Sequence, residues 1–169
     1  MDLITALAVS IGVLGGIATF VFLSPIGIGL QIWAAFIGWA SFYHCGGKTQ
    51  GLTSSILANL WGVLWGALTL IAVTGTGMAD TLGLPIWAGI CVAVGVALMI
   101  LGAKIPVFSA IPAQVYGYAA TVAFTLLTNA AGGLMTPVVE NPAIIVALSM
   151  VIGNVLGYIS EALAGALAK

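Results

Sequence analysis

Charged side chains are nearly absent from this chain of 169 residues. Asp, Glu, Lys and Arg together make up 4% of it, and 62% of its residues are hydrophobic. A soluble domain carries about 25% charged residues, so this chain cannot cover a water-facing surface and its expected surrounding is the lipid bilayer. The formal net charge of −1 gives no electrostatic basis for binding nucleic acid.

Cysteine and histidine are equally scarce. Cys45 and Cys91 are the two cysteines, and His44 is the one histidine. A structural zinc site takes four Cys or His ligands, and a nucleophilic cysteine needs a base that a third group aligns. Neither set can be assembled, and the cysteines show no disulfide spacing. We therefore expect no metal, no cofactor and no enzymatic activity.

Long apolar segments fill most of the sequence. A helix needs roughly 20 apolar residues to cross the hydrocarbon core, and six such segments occur, at about 3–23, 25–44, 51–75, 82–103, 106–127 and 141–164. The opening "MDLITALAVS" lacks the basic residues of a cleaved signal peptide, so the first segment is interpreted as a retained span. The predicted fold is an all-α integral membrane protein with six transmembrane helices.

The few charges predict the orientation of these spans. Lysines in short loops favour the cytoplasm, and a six-span chain brings Lys48, Lys104 and Lys169 to one side. Asp80 and Glu140 then fall on the opposite side. The expected topology is multi-pass, with both termini in the cytoplasm.

The two halves of the chain, 1–78 and 79–169, resemble each other weakly. A shift of 83 residues places Gln31 on Gln114 and Trp33 on Tyr116, and a shift of 91 places "GVLWG" on "GNVLG". Chance matches are one explanation in so apolar a sequence. The other is a repeat of three spans per half, which would be inverted in the membrane, as in many transporters.

Two glutamines are the first candidates for a solute path. Pro25, Gly27 and Gly29 precede Gln31, and Pro106 and Pro112 precede Gln114. Because proline lacks an amide donor, both segments are expected to begin irregularly and to become helical near the glutamine. Interrupted segments at matching positions indicate a membrane binding site. The alternative is that the prolines only start helices and the glutamines bond neighbouring spans.

Two asparagines, Asn59 and Asn154, are the other deep carboxamides. Together with the glutamines they would replace the hydration of a polar solute. The alternative is hydrogen bonding across packed helices. The mid-depth aromatic residues Trp33 and Tyr116 would line a narrow apolar path, or else pack in the core. For the nearby glycines packing is the preferred interpretation: Gly62, Gly66, Gly153 and Gly157.

The stretch "SFYHCGGKTQGL" (41–52) is interpreted as a turn. Gly46 and Gly47 end one helix, and Thr53 or Ser54 would cap the next. His44 remains a candidate pH-sensitive gate.

Glu161 is the one carboxylate within a predicted span. It is a candidate ionisable site, or an interfacial residue that meets water or Lys104.

The segment "IWAAFIGWASFYHCGGKTQGL" with the following "ANLWGVLWGALTL" resembles the bacterial inner-membrane family catalogued as domain of unknown function 1097. The residues that carry the resemblance are Trp33, Phe36, Gly46, Gly47, Gly51 and Leu52. "IPVFSAIPAQVYGYAATVAF" resembles the second half of the family pattern, so the match covers roughly residues 10 to 160. The resemblance implies a small inner-membrane protein and gives no substrate.

Two functions are compatible with these features. The first is a channel or facilitative transporter for a small polar solute, neutral or weakly anionic, such as a urea- or amide-like molecule. The alternative is a non-transport accessory or assembly protein that packs through its glycine-rich helix faces. In either case so small a bundle is expected to form a homo-oligomer.

Overall fold

The computed structural model describes residues 1–137 and 140–168. Seven α-helices occur in this part of the chain. In chain order they are α1 (Leu3–Leu23), α2 (Ile32–His44), α3 (Lys48–Gly75), α4 (Met78–Leu82), α5 (Leu84–Leu101), α6 (Ile111–Leu127) and α7 (Pro142–Leu167). Short 3-10 turns lie before α2, before α6 and after α6.

Four helical stretches are long and apolar enough to cross a membrane. They are Leu3–Leu23, Lys48–Gly75, Leu84–Lys104 and Pro142–Leu167. The second and fifth predicted spans are shorter than expected, since α2 has 13 residues and α6 has 17. At 1.5 Å per residue these helices measure only about 20 and 26 Å. The chain is thus a helical membrane protein, in which four of the six apolar segments form helical stretches of spanning length.

The two short helices are short because irregular backbone precedes each of them. Pro25–Gly27 forms a 3-10 turn, and Ile28 and Gly29 then adopt positive φ angles of 41° and 79°. Pro106–Phe108 forms a similar turn before α6. The predicted irregular starts are therefore confirmed. Because of them, the helices are shorter than the spans predicted at 25–44 and 106–127.

The turn between α2 and α3 is confirmed, but its predicted cap is wrong. Gly46 and Gly47 have φ angles of 90° and 69°, a region that glycine enters without steric cost. The helix resumes at Lys48, so Thr53 and Ser54 lie inside it. Lys169, one of the three lysines used for orientation, lies outside the described residues.

The chain divides into two compact units. Unit 1 contains residues 1–56 and 148–169, and unit 2 contains residues 57–147. Unit 1 thus holds α1, α2, the start of α3 and most of α7. Unit 2 holds the rest of α3, α4 to α6 and the start of α7. This division does not follow the halves 1–78 and 79–169.

In unit 1, α2 packs against α7 with both helices running in the same direction. Contacts advance together along the two helices, from Ala35 with Gly153 to Phe42 with Gly157. A Cβ added at Gly153 would overlap the carbonyl of Ala35, and one at Gly38 would overlap that of Met150. The backbones are close because glycine stands at each crossing position.

In unit 2, α3 packs in the same way against α6. A Cβ at Gly62 would overlap the carbonyl of Gln114, and one at Gly117 would overlap that of Asn59. Further along, Gly66 faces Tyr118, so these two helices are also parallel. α5 runs antiparallel to α3, because Trp87 near its start bonds to Ala72 and Met99 near its end bonds to Trp61.

Candidate functional site

A row of polar side chains follows one face of α6. Positions i, i+4, i+7 and i+11 share a helix face, and here they hold Gln114, Tyr118, Thr121 and Thr125. Gln114, Thr121 and Thr125 are 0% exposed. We call these four residues the α6 row. Its burial against α3 follows from Gly62 and Gly66, which let the two helices approach.

Gln114 is the first residue of the row, and only the nitrogen of its side-chain amide has a hydrogen-bond partner among the described residues. Its Nε2 donates a hydrogen bond to the carbonyl of Phe108 in the irregular segment before α6. Its Oε1 is buried and has no hydrogen-bond partner among the described residues. The irregular segment thus orients the amide, and the acceptor oxygen is left for another group.

The row continues with two further buried polar atoms. The hydroxyl of Tyr118 and Oγ1 of Thr125 have no partner among residues 1–137 and 140–168. Thr121 differs, because its hydroxyl donates to the carbonyl of Gly117 at 2.9 Å. Buried polar groups are nearly always hydrogen-bonded to protein or to water. Three such atoms along one helix face therefore indicate a place for water or a polar solute.

Trp61 on α3 holds the irregular segment that orients Gln114. Its indole stacks on Phe108 with the ring centroids 4.6 Å apart, and its Nε1 donates to the carbonyl of Met99 at 3.0 Å. A Cβ at Gly102 would overlap the indole ring. Two ends of the broken segment are thereby fixed to one side chain, which positions the start of the α6 row.

A cavity of about 380 Å³ lies at the carboxyl end of α3. Thr74 and Gly75 form one wall, and Ala131, Gly132 and Met135 of the turn after α6 form another. Since α3 and α6 are parallel, this is also the end of α6 at which Thr125 lies.

The predicted path residue Asn59 lies next to the row. Its Nδ2 donates to the carbonyl of Ala113 at 2.8 Å, across the contact between α3 and α6. Tyr116 belongs to unit 2 as well, but it is two positions from Gln114 and therefore on another face of α6. The aromatic residue that shares the face of Gln114 is Tyr118.

Gln31 and Trp33 lie in unit 1 and bond to each other. The indole of Trp33 donates to Oε1 of Gln31 at 3.1 Å, while the Gln31 amide donates to the carbonyl of Gly29. Gln31 is the N-cap of α2, whereas Gln114 lies within α6. In unit 1 the carbonyl of Ala35 contacts Gly153 of α7. In unit 2 the carbonyl of Gln114 makes the same contact with Gly62 of α3. Ala35 is therefore the residue of α2 that corresponds to Gln114. The two glutamines are thus not equivalent in structure.

Asn154 is buried on the packed face of α7 in unit 1. Its Nδ2 donates to the carbonyl of Met150, one turn earlier in the same helix. The flanking glycines, Gly153 and Gly157, contact Ala35 and Phe42 of α2. These contacts match the packing alternative, and the same holds for Gly62 and Gly66 in unit 2.

Glu161 of α7 serves the amino terminus of α3. Its Oε2 accepts a hydrogen bond from the backbone N–H of Lys48 at 2.7 Å, where the helix dipole favours an anion. A Cβ at Gly47 would overlap the carboxylate. The described contact of Glu161 is therefore a cap on α3. His44 is the exposed last residue of α2 in the same unit.

The thiol of Cys45 lies in the same turn. Burial raises its pKa above the ordinary value of 9.0, and hydrogen bonds with Ser55 and Ser41 lower it in part. Within residues 1–137 and 140–168, no three His, Cys, Asp or Glu side chains lie close enough to hold a metal ion.

The residues that sequence reasoning missed are Thr121 and Thr125, together with the position of Tyr118 in the row. The i, i+4, i+7, i+11 spacing in "QVYGYAATVAFT" carries this signal. It was obscured because threonine and tyrosine are common in apolar helices, where each by itself indicates nothing.

The long apolar helices and the uncharged buried row define a class, that of helical membrane proteins. The chain belongs to the family described as Protein of unknown function (DUF1097), whose model matches residues 8–165. This match confirms the family resemblance in the sequence. Neither curated proteins nor solved structures gave a match to the chain.

Proposed function

We propose that this protein is a channel or facilitative transporter for a small, neutral, polar solute, and that the solute passes along the α6 row of unit 2. The observation that carries the proposal is the set of three buried, unpartnered polar atoms on Gln114, Tyr118 and Thr125. In the bilayer such atoms are costly unless water or a solute bonds to them.

The chemistry of the row supports a neutral solute. An amide oxygen only accepts hydrogen bonds, and a hydroxyl both donates and accepts. A urea- or amide-like molecule carries both functions and can bond to each in turn. The row contains no charged side chain, so nothing in it would offset the cost of removing an ion from water.

The packing directions support the six-span arrangement. In a chain that crosses the membrane six times, the second and sixth spans run in one direction, and the third and fifth run in the other. α2 with α7 and α3 with α6 are both parallel pairs. The shift of 91 residues that relates Gly62 to Gly153 also supports a repeat, with the irregular starts of α2 and α6 as its broken segments.

The orientation rests on Lys48 and Lys104, which favour the cytoplasm. Lys48→Cys and Glu140→Cys, each in a Cys45→Ser background, test it by labelling intact cells with a membrane-impermeant maleimide. We expect labelling at 140 and none at 48 until the cells are opened. The reverse pattern would invert the topology, and labelling at both positions would reject the six-span arrangement.

The flux assay uses proteoliposomes and stopped-flow light scattering with urea, formamide and acetamide. We expect faster solute entry than in empty liposomes. Gln114→Leu and Thr125→Val should reduce entry toward the empty-liposome rate, because they remove hydrogen-bonding groups without adding charge. Thr53→Val is the matched control, since Thr53 is exposed and its hydroxyl bonds to Thr49 of its own helix.

Three outcomes of this assay contradict the proposal in different ways. Empty-liposome rates for every solute would reject transport and favour the accessory role. Unchanged rates in both variants would reject the α6 row as the path. Loss of flux in Gln31→Ala alone would place the path at Gln31 in unit 1 instead.

The alternative accessory role would need a surface other than the glycine faces, because those at Gly62, Gly66, Gly153 and Gly157 pack within the chain. The homo-oligomer remains a prediction, which chemical cross-linking in membranes tests directly.

A further inference from the structure

A second cavity in unit 2 lies between α3 and α5 and does not involve the α6 row. Its volume is about 250 Å³, and its walls are almost wholly apolar. Leu68 and Val94 line it and are 44% and 53% exposed. In a membrane protein these positions face lipid, so the cavity opens sideways toward the bilayer.

Thr69 places a hydroxyl in this apolar wall. The residue is 3% exposed, and its Oγ1 has no hydrogen-bond partner among the described residues. Gly95 of α5 lies opposite, and a Cβ there would overlap that oxygen. The hydroxyl thus occupies the space that a side chain at position 95 would fill. A threonine in an apolar helix normally bonds to its own helix, as Thr74 does to the carbonyl of Leu70.

Trp65 adds a second unpartnered polar atom to the same cavity. Its indole Nε1 is buried and has no partner within the described part of the chain. An indole N–H can only donate, so an accepting oxygen on a ligand would satisfy it. Trp87, which also lines the cavity, differs because its N–H donates to the carbonyl of Ala72 at 3.1 Å.

We infer that this cavity binds a small, mainly apolar molecule dissolved in the membrane, and that the molecule carries one oxygen that accepts hydrogen bonds. The oxygen would accept from Trp65 and Thr69, while the rest of the ligand fills the apolar walls. A cavity of about 150 Å³ holds benzene, so 250 Å³ has room for a ring with a short carbonyl-bearing chain. The inference is independent of the proposed transport function.

The alkylation rate of Cys91 tests this inference, because Cys91 lines the cavity. The full chain with Cys45→Ser is placed in lipid nanodiscs and alkylated with N-ethylmaleimide. Acetophenone and ethylbenzene serve as probes of similar shape, of which only the first has an accepting oxygen. At a membrane concentration of twice its Kd, acetophenone should slow alkylation about 3-fold by mass action, and ethylbenzene at the same concentration should have a much smaller effect.

Variants at position 69 separate recognition from folding. Thr69→Ser keeps the hydroxyl and should keep the difference between the probes, whereas Thr69→Val should reduce it, because only the indole N–H of Trp65 then remains as a donor. A difference between the probes that is unchanged in Thr69→Val would overturn the inference, as would equal rates with both probes in the parent protein. Disulfide formation between Cys91 residues of two protomers would assign the cavity to a second copy of the chain instead.

Discussion

Units 1 and 2 share one packing scheme and differ in their polar chemistry. In each unit a helix with an irregular start packs parallel to a long helix, with glycine at two crossing positions. In unit 1 the hydroxyls of Ser41 and Ser55 bond to each other at 2.7 Å. In unit 2 the face of α6 keeps Oε1 of Gln114 and Oγ1 of Thr125 without a partner in the described chain.

A second network in unit 1 extends this contrast. Ser160 of α7 accepts the indole N–H of Trp39 at 3.0 Å and lies 2.7 Å from the hydroxyl of Tyr43. Polar side chains in this unit thus fix helices to each other. The comparison shows that close glycine packing does not decide whether a buried polar group is structural. The same close contact, a glycine against a backbone carbonyl, involves Ala35 in unit 1 and Gln114 in unit 2, and only the second residue carries a polar side chain.

The largest expected effect comes from substituting the glycines through which helices pack in both units. Gly153→Ala and Gly62→Ala each force a methyl group into a facing backbone carbonyl, which should lower the free energy of unfolding by about 1–3 kcal/mol. Gly165→Ala in α7 is the control, since a Cβ there meets nothing within 4 Å and should stabilise the helix by about 0.5–1 kcal/mol. Thermal unfolding in detergent, followed by circular dichroism, measures the difference. Equal midpoints for all three variants would contradict the close packing.

The next effect tests whether a buried hydroxyl stabilises the fold in unit 1 but not in unit 2. Ser41→Ala removes a partner of the buried Ser55 hydroxyl, so it should cost about 1 kcal/mol. Thr125→Val removes a hydroxyl with no partner among the described residues, so the stability should stay the same or rise. The same unfolding assay compares the two variants. If Thr125→Val costs as much as Ser41→Ala, the α6 row is structural and the distinction between the units is lost.

A smaller effect concerns the cap that unit 1 provides to α3. Glu161→Gln keeps an accepting oxygen but loses the charge at the helix amino terminus, which should cost about 0.3–1 kcal/mol. Amide hydrogen exchange in the first turn of α3, at Lys48 to Gly51, should accelerate accordingly. Glu140→Gln is the control, because Glu140 is exposed. Unchanged exchange in Glu161→Gln would show that the carboxylate charge does not stabilise the turn.

The smallest expected effect is the pH dependence of Cys45 labelling. Because burial raises the pKa of this thiol, the reactive thiolate should form only as the pH rises through and above 9.0. Ser55→Ala removes a hydrogen bond that lowers the pKa, so labelling should shift to still higher pH. Maleimide labelling of wild type, with Cys45→Ser as the reference, follows the titration. A midpoint below 9.0 would contradict burial as the dominant cause.

The sequence predicted the helical segments and their interruptions well. Apolar length and the positions of Pro25, Pro106 and the Gly46–Gly47 pair are local properties, and local backbone chemistry decides where a helix can continue. The same reasoning failed for the cap of α3. Glu161 is 113 positions from Lys48 in the chain, and no local pattern connects them.

The pairing of Gln31 with Gln114 shows why an alignment by sequence matches was insufficient. The shift of 83 aligns Gln31 with Gln114 because they are identical residues. In the packed helices, however, the residue of unit 1 that corresponds to Gln114 is Ala35. Which face of a helix is buried depends on the partner helix and its glycines, and so does the environment of each amide.

Sequence alone determined that this chain is a helical membrane protein with two interrupted segments and a glycine turn. It could do so because bilayer thickness, proline and glycine act on contiguous residues. Tertiary structure decided which polar groups are consumed in packing and which remain unpartnered. That outcome depends on contacts between distant helices, where Asn59 bonds across to α6 while Gln114 and Thr125 keep free oxygens within the described chain.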